Sequence, residues 1–318
     1  MTHNNAQTQG FRVRQPGLMT LIQDAGRFGK HGIGLTCGGP LDAEAFSWAN
    51  RLCDNSTEVT ALEVSFGGLI LEAQINTRIA VTGAELPLSI NGQAKEQWRS
   101  HAINAGDVIE LGYATAGCRA YLAVAGGFHI EHSFGSAATV TRESIGGLNG
   151  GKLAPNDFLP CTAASANGCL VLPEQHRPTY EKRANLRVIP GYQKHAFTDL
   201  QMARFFSSEY QTTDRSDRMG YRVSGPEIKP SLDGILSEGI CHGAIQVPAD
   251  GQPIILLNDR QTIGGYPKLG SMLSLDTAKL AQMTPGATLT FEAITIDDAH
   301  NLHLLTQRRN AVIEPLAC

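Results

Sequence analysis

Apolar residues along this chain come in short bursts. Leu69-Ile70-Leu71, Arg78-Ile79-Ala80-Val81, Val108-Ile109-Glu110-Leu111 and Arg119-Ala120-Tyr121-Leu122-Ala123-Val124 are each flanked by glycine within a few residues. Runs of this length, punctuated by turn residues, predict strands of β-barrels or sandwiches. Ala244-Ile245-Gln246-Val247, Asp250-Gly251 and Ile254-Ile255-Leu256-Leu257 read as strand, turn and strand, a hairpin. Helical periodicity is rare. Asp42 to Cys53 has a capping aspartate and an apolar stripe of Ala45, Phe46, Trp48, Ala49 and Leu52. Asp276 to Gln282 is a shorter second case. The expected class is mainly β, with a few short helices.

The pattern also recurs along the chain. Arg12-Val13-Arg14-Gln15-Pro16-Gly17 is answered by Arg187-Val188-Ile189-Pro190-Gly191, and Ala105-Gly106-Asp107-Val108-Ile109 by Pro285-Gly286-Ala287-Thr288-Leu289. Two diverged copies of one β-domain would produce this. Pro160 to Arg183, with its small-residue stretch Thr162 to Gly168, reads as the linker. The expected organisation is a disordered tail at 1–10, one domain at 11–165 and a second at 186–300.

Composition narrows the function classes. Hydrophobic residues make up 42% and charged residues 18% of 318, a globular balance. The net charge of −4 and the lack of any Lys/Arg cluster give no footprint for nucleic acid. No apolar stretch is long enough to span a bilayer. Seven cysteines without a Cys-x-x-Cys pair fit reduced thiols and a cytoplasmic protein.

Several patterns exclude chemistry. Gly146 to Lys152 has the outline of a P-loop, but Leu153 stands where Ser or Thr would hold magnesium, and Pro155 follows where a helix should begin. Gly32-Ile33-Gly34 lacks the third glycine of a dinucleotide fingerprint. His129 and His132 have no third ligand at metal-site spacing, so no metal is expected. No Gly-x-Ser-x-Gly nucleophile elbow occurs.

The polar residues worth following lie at strand ends. The apolar run ending at Leu257 leads straight into Asn258-Asp259-Arg260-Gln261-Thr262-Ile263-Gly264-Gly265-Tyr266-Pro267. Gly264-Gly265 lets backbone approach a ligand closely. Asp259 is the candidate general acid or base; of its hydrogen-bonding neighbours, Gln261 is a further catalytic candidate and Tyr266 a substrate-binding one. Near the N-terminus, Asp24 and Arg27 follow the run Leu18 to Ile22. Asp24 joins the catalytic candidates, unless the two residues only fix the turn. Arg27 suits a substrate carboxylate. Asp42 reads as an N-cap, and Asn50 and Glu63 as buried polar partners. Thr82-Gly83-Ala84 offers amides for an oxyanion. Asn50 and Thr82 complete the substrate-binding candidates.

Gln23-Asp24-Ala25-Gly26-Arg27-Phe28-Gly29, Gly38-Gly39-Pro40-Leu41-Asp42, Ala49-Asn50, Gly243 to Pro248 and Asn258 to Pro267 follow one another in a specific order. In this the chain resembles the family of the C subunit of bacterial 5-oxoprolinase, also called allophanate-hydrolase-subunit-2-like. It is similar too to part of the carboxyltransferase region of urea carboxylase. The resemblance runs from about Phe11 to Ala299 and departs from the pattern at Ala244 and Ile263, where threonines are expected. It implies two cyclophilin-like β-barrels and one component of an ATP-dependent 5-oxoprolinase that opens 5-oxo-L-proline to L-glutamate. A B-type subunit would bind tightly, sharing the active site and meeting the glycine-rich segment Gly32 to Pro40. ATP would be used through a separate A-type subunit, and this chain would hold no cofactor itself. Two alternatives remain open: a regulatory protein antagonising a B-type histidine-kinase inhibitor, and the carboxyltransferase half of a biotin-dependent enzyme.

Overall fold

The computed structural model describes residues 9–165, 168–232 and 234–318. The architecture is mainly β with four α-helices among the described residues, as the apolar bursts require. The chain divides into two units. The first runs to Phe28, resumes at Gly38, continues to Thr179 and takes in Glu314–Cys318; the second comprises Gly29–Cys37 and Tyr180–Ile313.

In the first unit two antiparallel sheets enclose one core. One orders its strands Phe158–Pro160, Gly10–Pro16, Gly67–Ala73, Val108–Tyr113, Leu88–Ile90 and Gln93–Lys95. The other runs Met19–Gln23, Ala61–Ser65, Ala116–Val124, Thr77–Glu85 and Ser100–Ile103. Alternation along Gly10–Pro16 buries Phe11 and Val13 beside Leu69, Leu71 and Ile109. Gly67 has φ 93°, and a Cβ there would sit 2.0 Å from the Gly112 carbonyl oxygen, so only glycine fits that close approach. The helix Ala43–Leu52 starts where expected: Asp42 accepts a hydrogen bond from the Ala45 amide at 3.1 Å. Its apolar stripe is buried, and Arg51 stacks 4.0 Å over Trp48.

The second unit closes its ladder into a seven-stranded barrel. Its order is Arg183–Pro190, Lys268–Met272, Ala244–Gln246, Ile254–Leu256, Gly220–Ser224, Tyr210–Ser216 and Thr288–Ala293. The predicted hairpin is present, with Ile245 opposite Ile255. Helix Asp199–Ser207 buries Phe205, which stacks on Phe291 at 4.4 Å. Helix Ser274–Ala281 carries Asp276, whose carboxylate takes three bonds of 2.7–2.8 Å from Arg187. Helix Ile296–Val312 begins with a Thr295/Asp298 capping box.

Several sequence expectations meet differences here. The paired segments Arg12–Gly17 and Arg187–Gly191 each cover the later part of a strand, Gly10–Pro16 and Arg183–Pro190, and the glycine just past its end. The strand Gly10–Pro16, however, is separated from Val108–Tyr113 by Gly67–Ala73, whereas Arg183–Pro190 pairs directly and in parallel with Thr288–Ala293. A shared glycine spacing therefore does not carry a shared strand order. The main break between the units falls at Thr179/Tyr180. The segment Gly29–Cys37 belongs to the second unit, not to a continuous stretch from 11 to 165. Helix Ile296–Val312 runs past residue 300. Of the tail expected at 1–10, residues 1–8 lie outside the described residues.

The reading of seven reduced thiols is corrected at one pair: Cys169 and Cys318 are disulfide-bonded. The final residues return as strand Leu316–Ala317 and pair with Leu170–Val171. This places the two Cα atoms 5.1 Å apart across 149 residues of sequence. Cysteine usage consequently no longer argues for a reducing compartment. No helix among the described residues is long and apolar enough to cross a membrane. The Gly146–Lys152 outline is a turn, with no helix after it.

Candidate functional site

Strand Ile254–Leu256 delivers its polar successors to the end of the barrel wall. Asp259 accepts two hydrogen bonds from Arg218, Nε to Oδ2 and Nη2 to Oδ1, both at 2.9 Å. The pair is buried. Both carboxylate oxygens are thus engaged in a fork-to-fork ion pair. A carboxylate held in this way anchors Arg218. Arg260 is buried and fixed by bonds to the carbonyls of Ile240 and Leu257, each 3.1 Å. Burial pulls its guanidinium below the usual arginine range, against the favourable fields of Cys37 and Cys241. His242, beside it, is pushed down to about 4 by burial and then by Arg260, while a bond with Asn258 opposes the shift. It is a neutral imidazole at physiological pH. Gln261 is partly exposed. Tyr266 is 46% exposed at the surface.

A second constellation in the same unit is better suited to holding a ligand. Gln246 and Lys268 lie opposite each other on adjacent strands, so their side chains share a face. Lys268 forms an ion pair with Glu238. The Lys268 amide donates to Gln193 Oε1 at 2.8 Å, and Gln193 Nε2 donates to Glu238 at 2.6 Å. The Tyr192 hydroxyl also donates to Glu238. Bonds from Lys268 and then Tyr192 hold the Glu238 carboxyl below the usual carboxylate range, and Glu238 in return raises the Tyr192 phenol. Gln246 is 1% exposed, yet its amide nitrogen has no hydrogen-bond partner among the described residues.

That orphan amide faces Gly264, the first of the glycine pair. A Cβ on Gly264 would lie 2.8 Å from Gln246 Nε2 and 2.6 Å from the Ile240 side chain. Gly264 also pairs with Glu238 across two short strands, Glu238–Gly239 and Ile263–Gly264. Leaving a buried donor unsatisfied costs on the order of 1–3 kcal/mol, which a ligand acceptor would recover. The chemistry on offer is a neutral amide donor, an ammonium and a carboxylate. Together they suit a small acid or amide whose oxygen takes the Gln246 donor and whose negative charge faces Lys268.

The N-terminal candidates lie in the first unit and are tied into its hydrogen-bond network. Asp24 accepts from the amides of Gly26 and Ala137 and from the Ser136 hydroxyl, at 2.6–2.9 Å. Arg27 donates to the carbonyls of Ser133, Ser136 and Ala138 at 2.9–3.3 Å. The two clasp the loop 133–138 from both sides. Asn50 donates to the Val59 carbonyl and accepts from Asn55, at 2.8 and 2.9 Å. The Thr82 hydroxyl donates to the Ala45 carbonyl at 2.6 Å and so seats the helix. Glu63 is buried as expected and accepts from the Tyr121 hydroxyl and the Leu41 amide at 2.8 and 2.9 Å. Among the described residues, no group of His, Cys, Asp or Glu is arranged to hold a metal ion.

Sequence reasoning passes over Gln246, Lys268 and Glu238. The available signal is a polar residue in the middle of the otherwise apolar Ile245-Gln246-Val247, followed by a lysine just after the Gly-Gly-Tyr-Pro turn. A buried strand has little reason to carry an amide facing its partner's lysine unless both have work to do.

Comparison with known proteins places this architecture. Residues 33–293 match the family described as carboxyltransferase domain, subdomain A and B. The chain is 34% identical to the C subunit of 5-oxoprolinase from Haemophilus influenzae, covering 92% of each protein. It is also 34% identical to the corresponding 5-oxoprolinase component of Escherichia coli, covering 91% of this chain and 92% of that one. The urea amidolyase of Kluyveromyces lactis superposes with a TM-score of 0.88 at 27% identity, over 96% of this chain and 20% of that enzyme. By sequence and by fold, the chain belongs to the carboxyltransferase-domain family, spanning subdomains A and B.

Proposed function

We propose that this chain is the C-type component of an ATP-dependent 5-oxoprolinase, opening 5-oxo-L-proline to L-glutamate together with A- and B-type subunits. The observation that carries the reading is the 34% identity to two 5-oxoprolinase components of the C type, which extends over 91–92% of this chain and 92% of theirs. The site geometry is compatible with such a substrate. A lactam carries a carbonyl oxygen that becomes more negative as the ring opens. Gln246 would donate to that oxygen, and Lys268 would stabilise the developing charge. Glu238 would hold Lys268 in place. Asp259 acts as a positioning residue through Arg218. ATP chemistry is assigned to the A-type partner, and part of the B-type contact to the segment Gly32 to Pro40.

The direct test combines the purified chain with A- and B-type subunits in every combination and measures ATP-dependent glutamate release from 5-oxoproline. Release only by the full set supports the proposal; a full set that releases none refutes it. The match to urea amidolyase over 96% of this chain favours one other reading, a carboxyltransferase half fed by carboxybiotin from another protein. Carboxyl transfer from carboxybiotin to urea by this chain, without glutamate release, would select it.

A further inference from the structure

The second unit also contains a thiol flanked by an imidazole and a guanidinium that the proposed reaction does not use. The segment Gly29–Cys37 folds into a tight turn around the 3-10 helix His31–Ile33. Ile33 and Leu35 amides donate to the Lys30 carbonyl, and Gly34, with φ 84°, donates to His31. This turn brings His31 Nε2 to 3.2 Å from Cys37 Sγ. On the other side, Arg260 bonds to Cys37 with a guanidinium already fixed by the Ile240 and Leu257 carbonyls. In the chain without its partners Cys37 is only partly buried and His31 is exposed, so reagents can reach the pair.

The other thiols outside the disulfide supply the contrast. Cys53 and Cys161 are buried, and burial pushes both up to about 12. Cys118 is buried as well. Cys241 is exposed, with Ser271 Oγ at 3.6 Å as its hydrogen-bond partner; it shares the field of Arg260, so the imidazole of His31 is what sets Cys37 apart. Among the described residues, Cys37 therefore combines access, an imidazole and a cation. A nearby base and cation favour the thiolate, which is the reactive form.

We propose that Cys37, with His31 as proton acceptor and Arg260 as electrostatic partner, is a redox-modification site that takes low-molecular-weight disulfides by thiol–disulfide exchange. His31 takes the thiol proton. Cys37 Sγ attacks one sulfur of the disulfide RSSR, its S–S bond breaks, and a Cys37–SR bond forms. The departing RS⁻ takes the proton from His31 and leaves as RSH. The small disulfide is the oxidant, so electrons and atoms balance.

The test uses the full chain, folded and without partners, incubated with glutathione disulfide at neutral pH. Mass spectrometry then follows the mixed disulfide at Cys37 and at Cys241. Cys37, with His31 beside it to take its proton, should react about tenfold faster than the more exposed Cys241. His31→Ala should remove most of that advantage and leave the Cys241 rate and the melting temperature unchanged. His31→Gln, which keeps a hydrogen-bonding side chain but no base, should behave like the alanine variant. Equal or slower reaction at Cys37 in the unmodified protein overturns the proposal. So does a wild-type rate at Cys37 in either variant.

Discussion

The two units each bury a polar network, and the networks are built on opposite terms. In the first, Glu63 accepts from Tyr121 and from the Leu41 amide, while the Tyr121 oxygen accepts from the Asp42 amide at 2.8 Å. Arg119 stands 4.0 Å from the second Glu63 oxygen. These bonds fix the turn that launches the helix Ala43–Leu52, with Arg119 Nε held by the Glu63 charge rather than by a hydrogen bond. In the second unit, Lys268, Glu238, Gln193 and Tyr192 satisfy one another, but Gln246 keeps a buried amide with no acceptor among the described residues. A satisfied network rigidifies; an incompletely satisfied one holds a donor for something that arrives later. This contrast assigns scaffold work to the first network and ligand work to the second.

The largest effect should come from opening the closed network. Glu63→Ala leaves Arg119 buried without its carboxylate and strips the acceptor from Tyr121. Removing one member of a buried ion pair typically costs about 3–5 kcal/mol. Chemical denaturation should show a loss of that size. A loss below about 1 kcal/mol would mean that the network is not structural, and the comparison would fail on its first side.

Next is Gln246→Met, which keeps the volume and removes the donor. In the assembled enzyme we expect turnover of 5-oxoproline to fall on the order of a hundredfold, as when one oxyanion donor is removed. The melting temperature should hold or rise, because a buried unsatisfied amide has been replaced by an apolar side chain. A lower melting temperature with normal turnover would reverse the assignment.

Tyr121→Phe is a smaller counterpart in the first unit. Burial, and then the negative field of Glu63, raises the Tyr121 phenol well above its ordinary value, so it stays protonated and donates at all relevant pH. Losing that hydroxyl takes one hydrogen bond from the Asp42 amide and one from Glu63. The expected cost is about 1–3 kcal/mol, with turnover per folded molecule unchanged. Kinetics normalised to the folded fraction would check this.

The same contrast explains how much of the molecule is legible in the sequence. Closed, local features can be read: the Asp42 cap, the stripe of the first helix, and the hairpin ending in Leu256. Each depends on residues within one or two turns of chain. Helix Ile296–Val312 escapes such a reading because only Ala299 is buried and Leu304 and Leu305 face solvent, so there is no stripe to find. The site motifs single out Asp259, whereas the buried donor left without an acceptor among the described residues belongs to Gln246. Asp259 looks catalytic in the sequence because its partner, Arg218, lies 41 residues upstream. Gln246 looks inert because an orphan donor is defined only by which groups fail to surround it. The Cys169–Cys318 bond is hidden in the same way, by a separation of 149 residues.

The smallest effect concerns His242, a second group of the barrel unit whose Nε2 is buried without a hydrogen-bond partner among the described residues. The groups acting on it are Arg260, which disfavours its charged form, and Asn258, which favours it less strongly. Its folded value of about 4 lies below the ordinary 6.5. The unfolded chain therefore binds this proton more readily than the folded one, and stability must fall as pH falls between those two values. Above about 6.5 the imidazole is neutral in both states and contributes no slope. His242→Gln should flatten the stability profile in that window and leave it unchanged at about pH 8. Denaturant midpoints measured at small, even steps of pH from about 8 down to about 4 would reveal the difference. An unchanged slope in the variant would show that His242 charges as freely in the fold as in the unfolded chain. The burial of its imidazole would then carry no cost for the charged form, unlike the burial of the Gln246 amide.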